Sequence, residues 1–175
     1  EPLGSEETAP RQRDLVSRAI RLSTVPAPAA VLGTADAPRT FWAAPDEATV
    51  VGSDAATVIR SDGDDRFRTI KTAADALFSA GDVHAGALAA RPRLFGGFSF
   101  HDEHVGTKPW AGYPAAKFVL PRTQVTYDEG EAWLTINAVD ADPESVEQCL
   151  ETEAERLQSL SEPATAGSPP GATGR

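Results

Sequence analysis

The stretch AKFVLPRTQVTYDEGEAWLTINAVD, residues 116–140, constrains the fold more than any other part of the chain. It reads as strand, proline, strand, turn, strand. Asp128-Glu129-Gly130 is the turn signal, and Leu134, Ile136 and Ala138 face one way because strand side chains alternate with a period of two. Pro121 has no N–H to give to a ladder, so it belongs at an edge or a bulge. Asp142-Pro143 then opens a helix, with proline at the favoured first position. Val146, Cys149, Leu150, Ala154 and Leu157 form its apolar stripe. Glu144, Glu147, Glu151 and Glu155 make a solvated acidic face.

Upstream, LVSRAIRLST at 15–24 alternates at Ile20 and Leu22 and reads as a strand, with a helix as the alternative, and VPAPAAVLG as a proline-punctuated connector. RTFWAAPDEATVVGSD, 39–54, reads as two strands around a turn at Pro45-Asp46-Glu47, and AATVIRSDG extends that sheet. DDRFRTIKTAADALFSAGD, 64–82, predicts a helix with Phe67, Ile70, Ala74, Leu77 and Phe78 on one face, a core stripe rather than a cofactor box. Asp64 or Asp65 caps its start, and Gly81 fits a left-handed stop. The expected fold class is α+β, an antiparallel β-sheet with packed helices, in one domain over residues 15–160. Residues 1–14 carry no apolar period and are expected to be disordered; 161–175, rich in Gly, Pro, Ser and Ala, reads as a flexible linker.

Composition excludes several classes. A net charge of −10 argues against nucleic acid, whose phosphates need clustered cations. Three lysines against thirteen arginines, with abundant carboxylates, give a halophile-like balance that keeps a protein soluble in high salt. The longest apolar runs are a few residues, too short to span a membrane. EPLGSEETAPRQR lacks the basic start and apolar run of a secretory signal, so the expected location is cytoplasmic. The single Cys149 rules out an internal disulfide framework and reads as a packing residue. The absence of methionine leads us to expect a piece of a longer product.

RPRLFGGFSFHDEH, 91–104, is the most chemically suggestive run. Gly96-Gly97 opens into no helix, which a phosphate loop requires. His101, Asp102, Glu103 and His104 contain metal-ligand types, but the histidines are three apart on a strand end, where a catalytic zinc helix places them four apart; the run reads as a polar loop. There is no Gly-x-Ser-x-Gly elbow, and Cys149 has no electropositive sequence neighbour. No catalytic, cofactor-binding or metal-ligating residue is assigned. The residues alone give an acidic α+β domain without a visible active site.

Taken together, Phe95-Gly96-Gly97-Phe98, then Trp110, Tyr113-Pro114, and the strand from Phe118 through Arg122 are more specific than any of them singly. This succession resembles the N-terminal portion of the isochorismate synthase branch of the chorismate-utilising enzyme family. TFWAAPDEATVVGSDAA is similar too, with Asp54 where the family more often has glycine. The resemblance covers about residues 15–140.

It implies a fold of two stacked antiparallel sheets with outer helices, of which this chain is the N-terminal scaffold. It also implies that the chemistry lies in a C-terminal chorismate-binding domain of the same polypeptide. There a lysine base activates water, a glutamic acid protonates the leaving hydroxyl, and other glutamates hold Mg²⁺ against the carboxylate of chorismate. No stretch here matches those motifs, and none of Lys71, Lys108 and Lys117 carries over as the base. The implied parent isomerises chorismate to isochorismate, toward menaquinone or a related product. The alternatives are a free-standing non-enzymatic interaction or ligand-binding module, and a salicylate- or anthranilate-forming relative. On this reading Phe95 and Phe98 both fill the core. As they have opposite strand parity, Gly96-Gly97 is expected to supply a bulge or a close backbone approach.

Overall fold

The computed structural model describes residues 14–100 and 111–160. The expectations for residues 1–13, His101 through His104, Lys108, Trp110 and 161–175 lie outside that range. The elements are β1 (Leu15–Arg21), α1 (Pro28–Thr34), β2 (Thr40–Trp42), β3 (Thr49–Ser61), α2 (Arg66–Ser79), β4 (Asp82–His84), β5 (Phe95–Phe98), β6 (Ala116–Asp128), β7 (Glu131–Val139) and α3 (Pro143–Ser159). The fold is α+β, as expected. The described strands form one seven-stranded sheet in the order β2-β3-β6-β7-β1-β4, with β5 also on β6. Every pair is antiparallel except β1 with β4, which is parallel.

The β6–β7 hairpin turns through two residues, Glu129 (φ 47°) and Gly130 (φ 81°), between the pair Asp128 and Glu131. Two successive positive φ values match the twist of the flanking strands. Pro121 sits opposite Ala55, where the β3–β6 register shifts by one residue. On its other side β5 pairing has ended at Val119 and β7 pairing begins only at Thr123. A residue without an N–H therefore occupies a bulge, as its chemistry requires. Close by, Asp54 takes a left-handed backbone (φ 56°) and its own Oδ1 accepts from the Ala55 N–H at 2.7 Å. The conformation is one that glycine adopts freely and aspartate tolerates.

One face of the sheet carries the main core. Val16, Val51, Val125, Leu134 and Ile136 meet Val146, Leu150, Ala154 and Leu157 of α3, and Val31 of α1. Cys149 is half-buried at the margin of this core. The α3 start is built as expected: Asp142 accepts from the Ser145 N–H at 3.0 Å and Pro143 takes the first turn. The other face is smaller. Leu15 and Leu120 pack under Leu77 of α2, with Ile59, Phe78 and Val83 around them.

Arg18 is a charge inside this framework, at 6% exposure. Its Nη2 donates to Asp82 at 2.7 Å, its Nε to Glu147 at 3.1 Å, and its Nη1 to the carbonyls of Ser17 and Asp82 at 3.0 Å each. One guanidinium thus ties β1 to β4 and α3. Glu147 faces water as expected, at 58% side-chain exposure, and bonds Arg18 from the rim of the solvated row. A buried charge persists only when paired and hydrogen-bonded in this way.

Several expectations are corrected. The segment read as a connector contains α1, because Pro28 is tolerated in a first helical turn and Ala29-Ala30-Val31-Leu32 can continue it. Gly81 is not left-handed; it is small because a Cβ there would meet Val83 at 3.2 Å and Leu15 at 3.4 Å. Phe67 is 54% exposed, so it lies off the buried stripe of α2. β5 has no bulge: Phe95 pairs Val119 and Phe98 pairs Ala116 in unbroken register, and neither glycine has positive φ. The two phenylalanines therefore do face opposite ways, and Phe98 is 37% exposed. The close-approach reading holds for Gly96 alone, where a Cβ would lie 2.0 Å from the Lys117 carbonyl oxygen.

Two outcomes follow. Gly96→Ala should destabilise by more than the roughly 0.5–1 kcal/mol scale of a glycine entropy effect, because the clash is with backbone. Gly97→Ala, with nothing within 4 Å of its added Cβ, should lie within about 1 kcal/mol of wild type. Urea melts of both variants decide it; equal costs would remove the steric explanation.

The second concerns Asp82. Its hydrogen bond to Arg18, against a smaller desolvation cost, holds its carboxyl below the ordinary range. A depressed folded pKa contributes stability above the unfolded value of about 3.9, lost as pH falls through the folded value. Asp82→Asn should therefore lower Tm at neutral pH, and the gap should close on acidification. A gap independent of pH would show that the pair is not the cause.

Candidate functional site

The strongest polar cluster lies on the α2 side of the sheet. Ser17, Gln124, Thr126, Thr135 and Asn137 are all fully buried. Residues 85–94, which include no strand or helix, cross over them. An irregular segment laid on a sheet brings main-chain groups that need partners. The Thr135 hydroxyl donates to the Ala90 carbonyl at 2.7 Å. Gln124 Nε2 donates to the Arg91 carbonyl and to Thr126 Oγ1 at 3.1 Å each, and Gln124 Oε1 accepts from the Arg93 N–H at 3.2 Å. Ser17 donates to Asn137 at 2.8 Å, and Asn137 in turn donates to the Pro121 carbonyl at 2.8 Å. No hydroxyl in this cluster meets an imidazole or a carboxylate in these bonds. The arrangement holds the crossing segment down and does not activate a nucleophile.

Beside that segment lies an open depression of about 690 Å³, lined by Thr40, Phe41, Trp42, Arg93, Phe95 and Asp128 among others. Phe41 and Trp42 are about half exposed there. A second, of about 740 Å³, is lined by Phe78, Val83, His84, Arg91 and Pro92 among others. Aromatic walls with an arginine suit binding. Proton transfer would need an acid and a base converging on one point, and neither lining supplies a bonded pair. Among the described residues no group of three His, Cys, Asp or Glu side chains could hold a metal ion.

The residues weighed in the sequence are dispersed. Lys71 is exposed on α2 and paired with Asp75 at 2.5 Å. Lys117 is exposed on β6. His84 lies on β4, its Nε2 3.2 Å from Asp82 Oδ1. Arg18, Gln124, Thr135 and Asn137 were not singled out from the sequence. Their signal was the polar alternation Gln124-Thr126 and Thr135-Asn137 opposite an apolar face, which a two-layer pattern assigns to solvent.

At the far end of β6 the sheet presents a different surface. Phe67 stacks on Phe98 at 4.3 Å between ring centroids, and Phe98 lies 5.0 Å from Phe118. Phe100 is 98% exposed. On the opposite face of the same strands, Arg60 stands directly across from Lys117, and Lys117 across from Gly97.

The comparison with known families agrees with the resemblance at its coarser level. The chain belongs to the chorismate binding enzyme family, whose model it matches over residues 4–173. No curated protein matches it. No helix among the described residues is long and apolar enough to cross a membrane.

Tyr127, packed at the margin of the α3-side core, offers a measurable check on the burial there. Desolvation pushes its phenol up to about 12, and its hydroxyl has no hydrogen-bond partner among the described residues. A raised folded pKa contributes stability that is complete below the unfolded value of about 10 and is lost as pH rises through the folded one. Tm should fall on alkalinisation above that lower value, and Tyr127→Phe should flatten this part of the profile. An unchanged alkaline slope in the variant would show that the phenol is not the group responsible.

Proposed function

We propose that this chain is the non-catalytic N-terminal part of an isochorismate synthase, an enzyme isomerising chorismate to isochorismate toward menaquinone or a related product. The observation that carries the reading is the family match over almost the whole chain, joined to the Phe95-Gly96-Gly97-Phe98, Tyr113-Pro114 and Phe118–Arg122 succession of that branch. In this reading the acid, the base and Mg²⁺ belong to the C-terminal chorismate-binding domain of the same polypeptide. The described residues offer no cluster that fits Mg²⁺, and no step of the chemistry is assigned to them. Their part is to complete the sheet and to support the site from outside.

The buried polar residues favour this division. Those with the reach for catalysis are saturated by main-chain bonds of the crossing segment. A scaffold role predicts that the purified 1–175 chain does not convert chorismate with Mg²⁺ present. It also predicts that Gly96→Ala in the parent lowers stability while leaving activity per folded molecule nearly unchanged. Chromatographic assay of isochorismate, with a urea melt on the same preparation, tests both. Turnover by the chain alone would place the chemistry inside it, and a collapsed kcat at wild-type stability would put β5 in the active site. A non-enzymatic binding module, or a salicylate- or anthranilate-forming relative, is the reading left if the parent makes no isochorismate.

A further inference from the structure

β5 has a free edge. Among the described residues it pairs only with β6, and Ser99 N–H donates to the Ala115 carbonyl at 2.7 Å, continuing the same register. In an antiparallel ladder hydrogen-bonded pairs alternate with non-bonded ones. Ser99 with Ala115 is a bonded pair, so Gly97 with Lys117 and Phe95 with Val119 are bonded too. The N–H and C=O groups of Gly96 and Phe98 therefore point away from β6. Among the described residues no strand takes them up.

The two sides of this edge differ in chemistry. Phe98 shares its face with Phe118 and stacks on the exposed ring of Phe67. Gly97 shares the other face with Lys117 and Arg60, which stand side by side across the strands. Like charges directly opposite one another destabilise a sheet. In a chain of net charge −10, neither of these two exposed cations has an ion-pair partner among the described residues. Gly97 has no side chain, and a Cβ placed there meets nothing within 4 Å. Open space thus separates Lys117 from whatever lies beyond the edge.

We propose that the β5 edge is a strand-addition surface for an extended protein segment that alternates apolar and acidic side chains. Its main chain would pair with Gly96 and Phe98. Its apolar side chains would cover Phe98 and Phe67. Its carboxylates would reach across the gap at Gly97 to Lys117, the nearer of the two cations, and offset its repulsion with Arg60. A second copy of this chain is disfavoured as the occupant, because β5 against β5 brings two Arg60–Lys117 rows toward each other. The inference concerns surface chemistry and does not depend on the enzyme reading.

The probe is a capped hexapeptide alternating valine and glutamate, with a valine–lysine hexapeptide as its counterpart. Amide hydrogen exchange and chemical shifts of the native chain are followed by NMR. The valine–glutamate peptide should protect the Gly96 and Phe98 amides, and the valine–lysine peptide should bind at least about tenfold more weakly. Arg60→Glu with Lys117→Glu, both exposed, should reverse that preference. The proposal is overturned by protection elsewhere than β5, by equal responses to both peptides, or by no response to the first. Protection of these amides without peptide also overturns it, whether concentration-dependent with a dimer mass, which means self-pairing, or concentration-independent, which means the edge is already covered. If the charge-reversed chain does not fold, the comparison of peptides on the native chain decides alone.

Discussion

The fold hangs on how β6 changes neighbours. On one side β3 accompanies it over nearly its whole length. On the other, β5 takes residues 116–119 and β7 takes residues 123–128. Pro121 lies in the gap, where a missing N–H costs no ladder bond. The extra residue Ala56 on β3 has a matching effect on the faces. A one-residue shift sends every later side chain to the opposite side. With the shift, Ile59 stands across from Phe118 and joins Leu120 under α2; without it, Ile59 would stand across from Lys117 in water. The bulge therefore gives α2 its apolar footing, and the left-handed Asp54 sits where the chain has to make that adjustment.

The second dependence is a polar sheet face that is nonetheless dry. Burying Gln124, Thr126, Thr135, Asn137 and Ser17 costs free energy unless each is bonded, and an irregular segment over a sheet has the same need for its own main chain. Residues 85–94 and this face meet each other's requirement. Each alone would leave several buried groups unpaired at about 1–3 kcal/mol apiece. Replacing the sheet residues with apolar ones would leave the Ala90 and Arg91 carbonyls and the Arg93 N–H without partners. Polar residues inside the protein are thus explained without a reaction, which is why burial and polarity together do not mark an active site here.

What was legible in the sequence was whatever a local rule governs. The Asp128–Gly130 turn, the Asp142-Pro143 helix start, the α3 stripe and the proline at a bulge each follow from a few adjacent residues. The α2 period was read correctly, but its edge was not: Phe67 is exposed because its partner is Phe98, a contact that no helical spacing encodes. The doublet Gly96-Gly97 was read as one device and is two. A Cβ at Gly96 would be pressed against the Lys117 carbonyl, whereas one at Gly97 would meet nothing within 4 Å. Arg18 was illegible because its three partners come from β1, β4 and α3, 64 and 129 residues away in the last two cases. The sheet's polar face was invisible because the pattern predicts alternation and cannot say what covers the polar side.

The chain's cations show two opposite solutions to one electrostatic problem. Arg18 is taken out of water, and its cost is met by two carboxylates and two carbonyls held at fixed distances. Arg60 and Lys117 stay in water, where screening keeps their mutual repulsion small. Adding a strand beyond Gly97 would remove some of that screening and strengthen both the repulsion between them and their attraction for any carboxylate brought near. The same two side chains that are tolerated on a wet surface would thus discriminate sharply once it is covered. An acidic strand would gain from the lowered dielectric, and a neutral or basic one would be penalised by it. Specificity at this edge would come from the cations and affinity from the open main chain and the aromatic rings, a separation that follows from strand parity alone.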